Sequence, residues 1–405
     1  MIKTKIPAEY QKEAEEDRKY FKEIFQQIKK EYNTKSYPTK ITTKQTNNKT
    51  ATAIAYPIQG ILKYHGMPDW KYRTAYFPSI SLCNDAAYTI TTVEFSEKIK
   101  KDIIIINNKQ PTEREKERIL AIINFLRKET KTNLGVKIIS NNYFSNNKQI
   151  SSDKKNEIPK GLGTSASAGA ALALAAIDAL LGKKYSSNEQ FVSAIARLLA
   201  GSACRSVTGG ISLWLSYVGI EHENCIALRL DNNQFQNIEL ITIPIASTKE
   251  LKTEQAHLSA TSSPFFKEWL ESRKKTLPLA IDAIKRNDFF SLAKLAEQDT
   301  TALHLITMTG APPLILYENK TLQIMEICTS LRKQEIPIYL SIDTGPTVVF
   351  MTTEEYTERI IKELEKNNIK NWITGKIAPA ARLMTATEIK KLQTKRVNKK
   401  EKNKQ

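Results

Sequence analysis

Apolar residues near the start of the chain recur at helical spacing. Tyr10, Ala14, Phe21, Ile24, Ile28 and Tyr32 stand three, four or seven apart with charges between them, which predicts an amphipathic helix over 8–32 that must pack on something. A polar Thr/Asn/Lys stretch, 33–50, reads as a connector. Short β-prone runs follow at 51–58, 76–82, 87–95 and 103–106, then a charged helix at 112–128 and one more strand at 137–139. The Asn/Ser/Lys-rich segment 140–156 reads as a loop leading to Gly161-Leu-Gly-Thr-Ser-Ala-Ser-Ala-Gly169 and an Ala/Leu helix that ends near Gly182. Because that helix is apolar on nearly every face, it must be buried, and its N-terminus must open at the centre of a domain. A helix at 187–200 and strands through about 243 complete the first half. The second half predicts helices at 264–286, 290–305, 320–334 and 353–367, with strands at 338–342, 347–352 and 372–376. The expected fold class is α+β in two domains: an extension 1–50, a first domain 51–245, a second domain 246–388 and a tail 389–405.

Composition narrows the class. A chain of 405 residues with 41% hydrophobic and 26% charged residues has the balance of a globular protein. The most apolar run, 166–181, carries Asp178 and falls short of the roughly 20 residues that span a bilayer. Acidic residues crowd the start (Glu9, Glu13, Glu15, Glu16, Asp17), unlike a secretory leader, so a cytoplasmic address and no membrane partner are expected. Cys83, Cys204, Cys225 and Cys328 are widely separated, as buried thiols would be. The net charge of +18 favours anionic partners: nucleic acid, an acidic membrane face or small phosphorylated metabolites. Eight basic residues and one acidic residue in 390–405 place part of that charge in a solvated tail.

Four segments carry candidate chemistry. The loop Gly161, Gly163, Thr164, Ser165, Ala166 opens a buried helix, so its backbone N–H groups and the helix dipole form an anion site; the alternative is a turn that only permits tight packing. No Gly-Lys-Ser/Thr follows, so it is not a Walker loop. Gly201-Ser202-Ala203-Cys204-Arg205-Ser206 places an arginine among small residues, suited to carboxylate or phosphate, or to an ordinary salt bridge. Asp343, after an apolar strand and before Gly345-Pro346, is a candidate catalytic acid or an Asx-turn cap. Lys63, at the end of Gly60-Ile-Leu-Lys63, is an anion ligand or a snorkelling strand-end lysine. His65, His222, His257 and His304 show no metal-ligand spacing, and no metal site is expected.

In this order, over about 51–384, these segments resemble the mevalonate diphosphate decarboxylase family of the galactokinase, homoserine kinase, mevalonate kinase and phosphomevalonate kinase (GHMP) superfamily. The Gly201–Ser206 motif with Gly209-Gly210 is the most specific part of the likeness. Asp343-x-Gly-Pro and Leu62-Lys63-Tyr64-x-Gly66 add to it. The resemblance implies a GHMP-kinase-like two-domain fold, with a ribosomal protein S5 domain 2-like N-terminal domain, a ferredoxin-like C-terminal domain and a helical extension. It also implies loss of carbon dioxide and a 3-phosphate from a phosphorylated mevalonate. Asp343 would stabilise the cationic centre at C3, Arg205 would hold the carboxylate, and Lys63 would steady the 3-phosphate or carboxylate. Thr164, Ser165 and the loop amides would take phosphoryl oxygens, with Tyr64, Ser202 and His257 as further substrate contacts.

The chain also departs from the family pattern. His65-Gly66-Met67 stands where Trp-Gly-Lys is usual, and His257 aligns loosely with an arginine, so cations are expected to be missing where a diphosphate would sit. That pattern, Ala55-Tyr-Pro-x-x-Gly60 and the long extension resemble the archaeal Thermoplasma-type branch. The expected reaction is therefore that of mevalonate 3,5-bisphosphate decarboxylases, giving isopentenyl phosphate with no cofactor. ATP- and magnesium-dependent decarboxylation of 5-phosphomevalonate or diphosphomevalonate is the alternative. Relatives imply a homodimer or larger assembly. A basic nucleic-acid-binding module is disfavoured, since no aromatic-basic interleaving or reading helix is present.

Overall fold

The computed structural model describes residues 2–32, 36–38, 40–41, 50–146, 159–247 and 253–391. Most of the 33–50 connector, the later part of the 140–156 loop and nearly all of the basic tail lie outside these residues. In chain order the elements of the first half are α1 (Gln11–Glu31), β1 (Thr50–Ala55), β2 (Ile58–Leu62), β3 (Ser79–Cys83), β4 (Ala87–Ser96), β5 (Ile103–Ile106), α2 (Glu113–Thr130), β6 (Gly135–Phe144), β7 (Pro159–Lys160), α3 (Thr164–Leu181), α4 (Lys183–Ser186), α5 (Glu189–Ala196), α6 (Ala203–Thr208), β8 (Ile211–Trp214) and β9 (Ala227–Arg229). The second half adds β10 (Ile238–Ile243), β11 (Ile245–Ala246), α7 (Thr253–Thr261), α8 (Phe266–Lys285), α9 (Phe289–Met308), α10 (Asn319–Lys333), β12 (Tyr339–Ser341), β13 (Val348–Thr353), α11 (Glu354–Lys366), β14 (Ile373–Gly375) and β15 (Arg382–Leu383).

The run expected as one strand at 51–58 is two. Pro57 lacks the N–H that would continue a ladder, and the chain changes sheets there. β1 enters a five-stranded sheet of order β15-β1-β4-β6-β5, while β2 opens a four-stranded sheet of order β2-β3-β8-β9. The strand expected at 137–139 extends over ten residues, so the first part of the supposed loop is β6. Two of its polar positions, Ser140 and Asn141, are buried, and the Ser140 hydroxyl pairs with that of Thr91 at 2.9 Å. Polarity masked the strand because these groups are satisfied across it.

The expected boundary near 245 also moves. β10 hydrogen-bonds to β13 and β14 in the second four-stranded sheet, order β12-β13-β10-β14, so it belongs with the C-terminal elements. Conversely, β15 returns from the C-terminal half to pair with β1. Alternating apolar positions alone cannot say which sheet a strand joins.

α3 lies in the core of the first half against β1 and β4, which present Ala51, Ala53, Ala55 and Val93 to its alanines; small residues on both sides allow this close approach. Among the described residues it is the one helix long and apolar enough to cross a bilayer, and 72% of it is buried inside the protein. α2 covers the same cluster with Ile119, Ile122, Ile123 and Leu126. It starts at a capping box in which the Thr112 hydroxyl accepts from the Glu115 N–H. α1 seats Phe21, Phe25 and Ile28 in a core shared with Phe77, Trp214, Tyr217 and residues of α8 and α9. Each buried phenylalanine contributes about 2 kcal/mol by area, so the extension is part of the body. The four cysteines are free and buried.

Candidate active site

β2 and β12 meet edge to edge below a cavity of about 420 Å³. The cavity brings together Lys63, Tyr64, Gly161, Gly163, Thr164, Ser165, Ser202, Arg205, His257 and Asp343, ten of the eleven residues singled out from sequence. The exception is Ala166. It is fully buried, and its N–H is spent on the Gly163 carbonyl at 2.9 Å, so it does not face the cavity. The helix has begun by that residue, and the open amides lie before it.

Asp343 follows β12, and its Oδ1 accepts from the Gly60 N–H at 3.0 Å and from the Gln59 Nε2 at 3.1 Å. A side chain at position 60 is forbidden, since a Cβ there would come within 2.8 Å of that oxygen and 2.7 Å of the Lys63 Cγ. Burial pushes the Asp343 carboxyl above its ordinary value, against the opposing pull of Lys63 and of the Gly60 amide. Lys63 is itself buried, which lowers its ammonium from the usual range while Asp343 and Asp299 oppose the shift. Its Nζ donates to Thr300 Oγ1, Ser341 Oγ and the Gly60 carbonyl, each at 2.9 Å, and to the Ala296 carbonyl at 3.3 Å. In this arrangement Lys63 is held by protein acceptors beside Asp343. Its charge acts on the carboxylate, and the expected direct grip on a phosphate is not what the geometry presents.

The Lys63 backbone is also clamped. Its N–H donates to Asp299 Oδ2 and its carbonyl accepts from Arg273 Nη2, both at 2.6 Å. Arg273 and Asp299 form a buried ion pair at 2.6 Å between α8 and α9. The C-terminal helices thus fix a residue of the N-terminal half.

Arg205, on α6, is buried yet makes no ion pair among the described residues. Its Nη1 donates to Ser79 Oγ at 2.8 Å, and its guanidinium lies 5.5 Å from the Tyr64 ring centre and 5.7 Å from that of Trp214. Such a cation suits an incoming carboxylate. Across the cavity, α3 starts at Gly163 without a side-chain cap, leaving first-turn N–H groups aimed at the ligand space. Gly161, at φ +79°, passes so close to the Gly345 carbonyl that a Cβ would sit 2.7 Å from it. The Gly-Pro turn after Asp343 thereby presses on the loop.

The cavity holds cations beyond Lys63 and Arg205. Arg73, Arg114 and Arg118 line the same cavity near Tyr64, Trp70 and His257. The Nε of Arg73 donates to the Leu198 carbonyl and that of Arg118 to the Leu199 carbonyl, while Arg114 pairs with Glu254 at 2.6 Å. Burial and mutual repulsion lower the Arg118 guanidinium to about 10, and burial lowers that of Arg73. These arginines come from the loop after β2 and from α2, far apart in sequence and in no local motif. Hydrophobic periodicity places α2 but does not say what its polar face meets.

His257 lies on α7, a helix the sequence reading missed. Its Nδ1 accepts from the Gly66 N–H at 3.2 Å and stands 3.2 Å from Nδ1 of His65. Burial holds His257 well below its ordinary pKa and His65 down at about 3, so both rings are neutral. The shared acceptor then requires the His65 proton on Nδ1. Among the described residues no three His, Cys, Asp or Glu side chains group as a metal site.

A second cavity of about 160 Å³ adjoins the other side of Thr164 and Ser165. Ile106, Ile119, Ile138, Leu172 and Leu199 form its apolar walls, Glu115, Arg118, Ser140 and Asn142 are among its polar ones, and Ala168 faces it.

Comparison with known proteins places these features in context. Residues 55–227 match the model of the diphosphomevalonate decarboxylase-like N-terminal domain, and 240–405 that of the mevalonate 5-diphosphate decarboxylase C-terminal domain. The chain is 32% identical to phosphomevalonate decarboxylase of Haloferax volcanii, over 82% of this chain and 96% of that one. It is 26% identical to mevalonate 3,5-bisphosphate decarboxylase of Thermoplasma acidophilum, over 84% and 79%. The solved mevalonate diphosphate decarboxylase of Enterococcus faecalis, described through ATP binding mediated by mevalonate diphosphate, superposes with a TM-score of 0.73 at 27% identity, covering 83% of this chain and 99% of that one. The expected α+β, GHMP-kinase-like two-domain fold with an N-terminal helix is the observed one.

Proposed function

We propose a reaction for this chain from one premise: it belongs to the diphosphomevalonate decarboxylase-like family, whose members are carboxy-lyases. The reaction is decarboxylation of mevalonate 5-phosphate, with phosphorylation at C3 first, to give isopentenyl phosphate, carbon dioxide and phosphate. The observation that carries it is the Asp343 carboxylate, fixed by Gly60 and Gln59 in one cavity with Arg205, which makes no ion pair among the described residues, and the open end of α3.

As the C3–O bond breaks and the 3-phosphate departs with its electron pair, positive charge develops at C3, and Asp343 stabilises it. The C1–C2 electron pair then closes the C2=C3 double bond as carbon dioxide leaves. Arg205 holds the carboxylate until that point, and the uncapped N–H groups of Thr164 and Ser165 take the oxygens of the 3-phosphoryl group. Arg73, Arg114 and Arg118 receive the 5-phosphate at the far end. ATP, when bound, supplies the phosphoryl group that makes the 3-hydroxyl a leaving group. The fit of a nucleoside is supported by the second cavity, of about 160 Å³, with apolar and hydrogen-bonding walls beside Thr164 and Ser165 of the loop. Three arginines suffice for either a mono- or a diphosphate, so preference for the 5-monophosphate leans on the 32% identity to a phosphomevalonate decarboxylase.

A second reading is the one expected from sequence, a nucleotide-free enzyme acting on ready-made mevalonate 3,5-bisphosphate. The likeness to the Thermoplasma protein of that name favours it. Incubating the purified chain with mevalonate 5-phosphate plus ATP, and separately with mevalonate 3,5-bisphosphate alone, decides between them. Product in the first mixture supports the ATP-dependent reaction, in which the bisphosphate is the intermediate. Lack of isopentenyl phosphate in the first mixture with product in the second replaces it by the nucleotide-free one.

A further inference from the structure

The segment before α1 lies outside the matched family models, which begin at residue 55, yet it contacts Asp69, next in sequence to the cavity-lining Trp70. It is laid down as a strap. The Ile2 N–H donates to the Glu223 carboxylate at 2.9 and 3.0 Å, the Ile2 carbonyl accepts from the His222 N–H at 3.0 Å, and the Thr4 hydroxyl donates to the Ile220 carbonyl at 2.6 Å. Ile6 packs where a Cβ on Gly219 would sit. The next contact is with Asp69: the Lys5 N–H donates to its Oδ2 at 2.7 Å.

Asp69 is 6% exposed and organises the turn that follows. Its Oδ1 accepts from the Tyr72 N–H at 2.8 Å, and its carbonyl accepts from the Thr74 N–H at 3.1 Å. Inside that turn Arg73 is held at φ +49°, a left-handed conformation unusual for arginine, with its guanidinium beside the cavity. An arginine in that conformation keeps its place only where its surroundings over-determine it. Asp69 fixes the backbone of the turn while the Leu198 carbonyl accepts from the Arg73 Nε at 3.0 Å, and one of the two Asp69 oxygens is occupied by the strap.

We propose that the Lys5 amide is a positioning group for substrate binding: by fixing Asp69 it holds the turn that presents Arg73 to the anionic end of the substrate. The strap thereby makes an element outside the family's common domains part of the binding site. Only the backbone N–H of Lys5 is needed, since its side chain is exposed. The inference rests on the reading of Arg73 as a substrate contact, and its test separates the two.

Lys5→Pro deletes the N–H, whereas Lys5→Ala keeps it. Losing one hydrogen bond to a charged group predicts a rise in KM for mevalonate 5-phosphate of about tenfold in Lys5→Pro, with kcat within about twofold. Lys5→Ala should keep the parent KM. Asp69→Asn, nearly isosteric, should raise KM in the same way and serves if proline unseats the strap. Inorganic pyrophosphate, measured by calorimetry, is a probe independent of turnover: its Kd should rise in Lys5→Pro, Asp69→Asn and Arg73→Ala alike. A purely structural strap would lower the melting temperature and leave KM and the pyrophosphate Kd alone, which overturns the proposal. Pyrophosphate binding indifferent to Arg73→Ala overturns it too. If the unaltered chain turns over no mevalonate phosphate, the functional reading fails, and the pyrophosphate series still decides the strap.

Discussion

Replacing Asp299 by Asn removes one charge from the buried pair that clamps Lys63. Arg273 is 2% exposed and Asp299 7%, and they stand 2.6 Å apart. Removing one member of such a pair strands the other charge without solvent, a loss of about 3–5 kcal/mol. Arg273 retains two partial compensations, the Lys63 carbonyl at 2.6 Å and the Trp269 ring at 4.4 Å, so the lower end is expected, about 3 kcal/mol. The same change weakens the acceptor of the Lys63 N–H, and Lys63 supports Asp343. A displacement of about 1 Å there lowers kcat by up to about 100-fold. The double variant Arg273→Met, Asp299→Leu distinguishes the two effects. With both charges gone the stranded-charge cost disappears, but the buried Lys63 N–H and carbonyl still lack both partners, at about 1–3 kcal/mol each, so stability recovers only in part and kcat stays low. Urea unfolding reads the first quantity and steady-state carbon dioxide release the second. Recovery of kcat together with stability would refute the clamp's positioning role, and an Asp299→Asn cost below about 1 kcal/mol would refute the uncompensated-charge argument.

Three further outcomes follow from the site. Asp343→Asn should abolish decarboxylation while far-UV circular dichroism stays unchanged; full activity would remove Asp343 from its role. Because burial raises the Asp343 carboxyl and turnover needs it ionised, activity is lost as pH falls through that raised value, so the acid limb of kcat should lie above the ordinary aspartate value of about 3.9; a limb at or below it contradicts the assigned environment. Ala168→Phe should fill the second cavity, raising the KM for ATP by about tenfold through steric exclusion while sparing turnover of mevalonate 3,5-bisphosphate; an unchanged ATP KM places the nucleoside elsewhere.

The parts of the site readable in the sequence were those whose chemistry sits in one short segment. Lys63, Arg205, Asp343 and the Gly161 loop each carry local spacing that survives without knowledge of the fold. Arg73, Arg114 and Arg118 do not, because a left-handed turn and the polar face of α2 converge only in three dimensions. The Lys63 clamp was hidden for the same reason, since Arg273 and Asp299 read as ordinary polar positions on two amphipathic helices. Among the secondary elements, α1 and α3 were legible from periodicity. The sheet change at Pro57 and the transfer of β10 to the second sheet depend on pairing partners, which alternation does not encode.

The central claim is tested most directly by supplying mevalonate 5-phosphate labelled at C1, with ATP and magnesium, and measuring labelled carbon dioxide against isopentenyl phosphate and ADP. One carbon dioxide, one isopentenyl phosphate and one ADP per turnover is the predicted result. ADP release with retention of the label, as in a kinase that stops at the 3-phosphate, would contradict it.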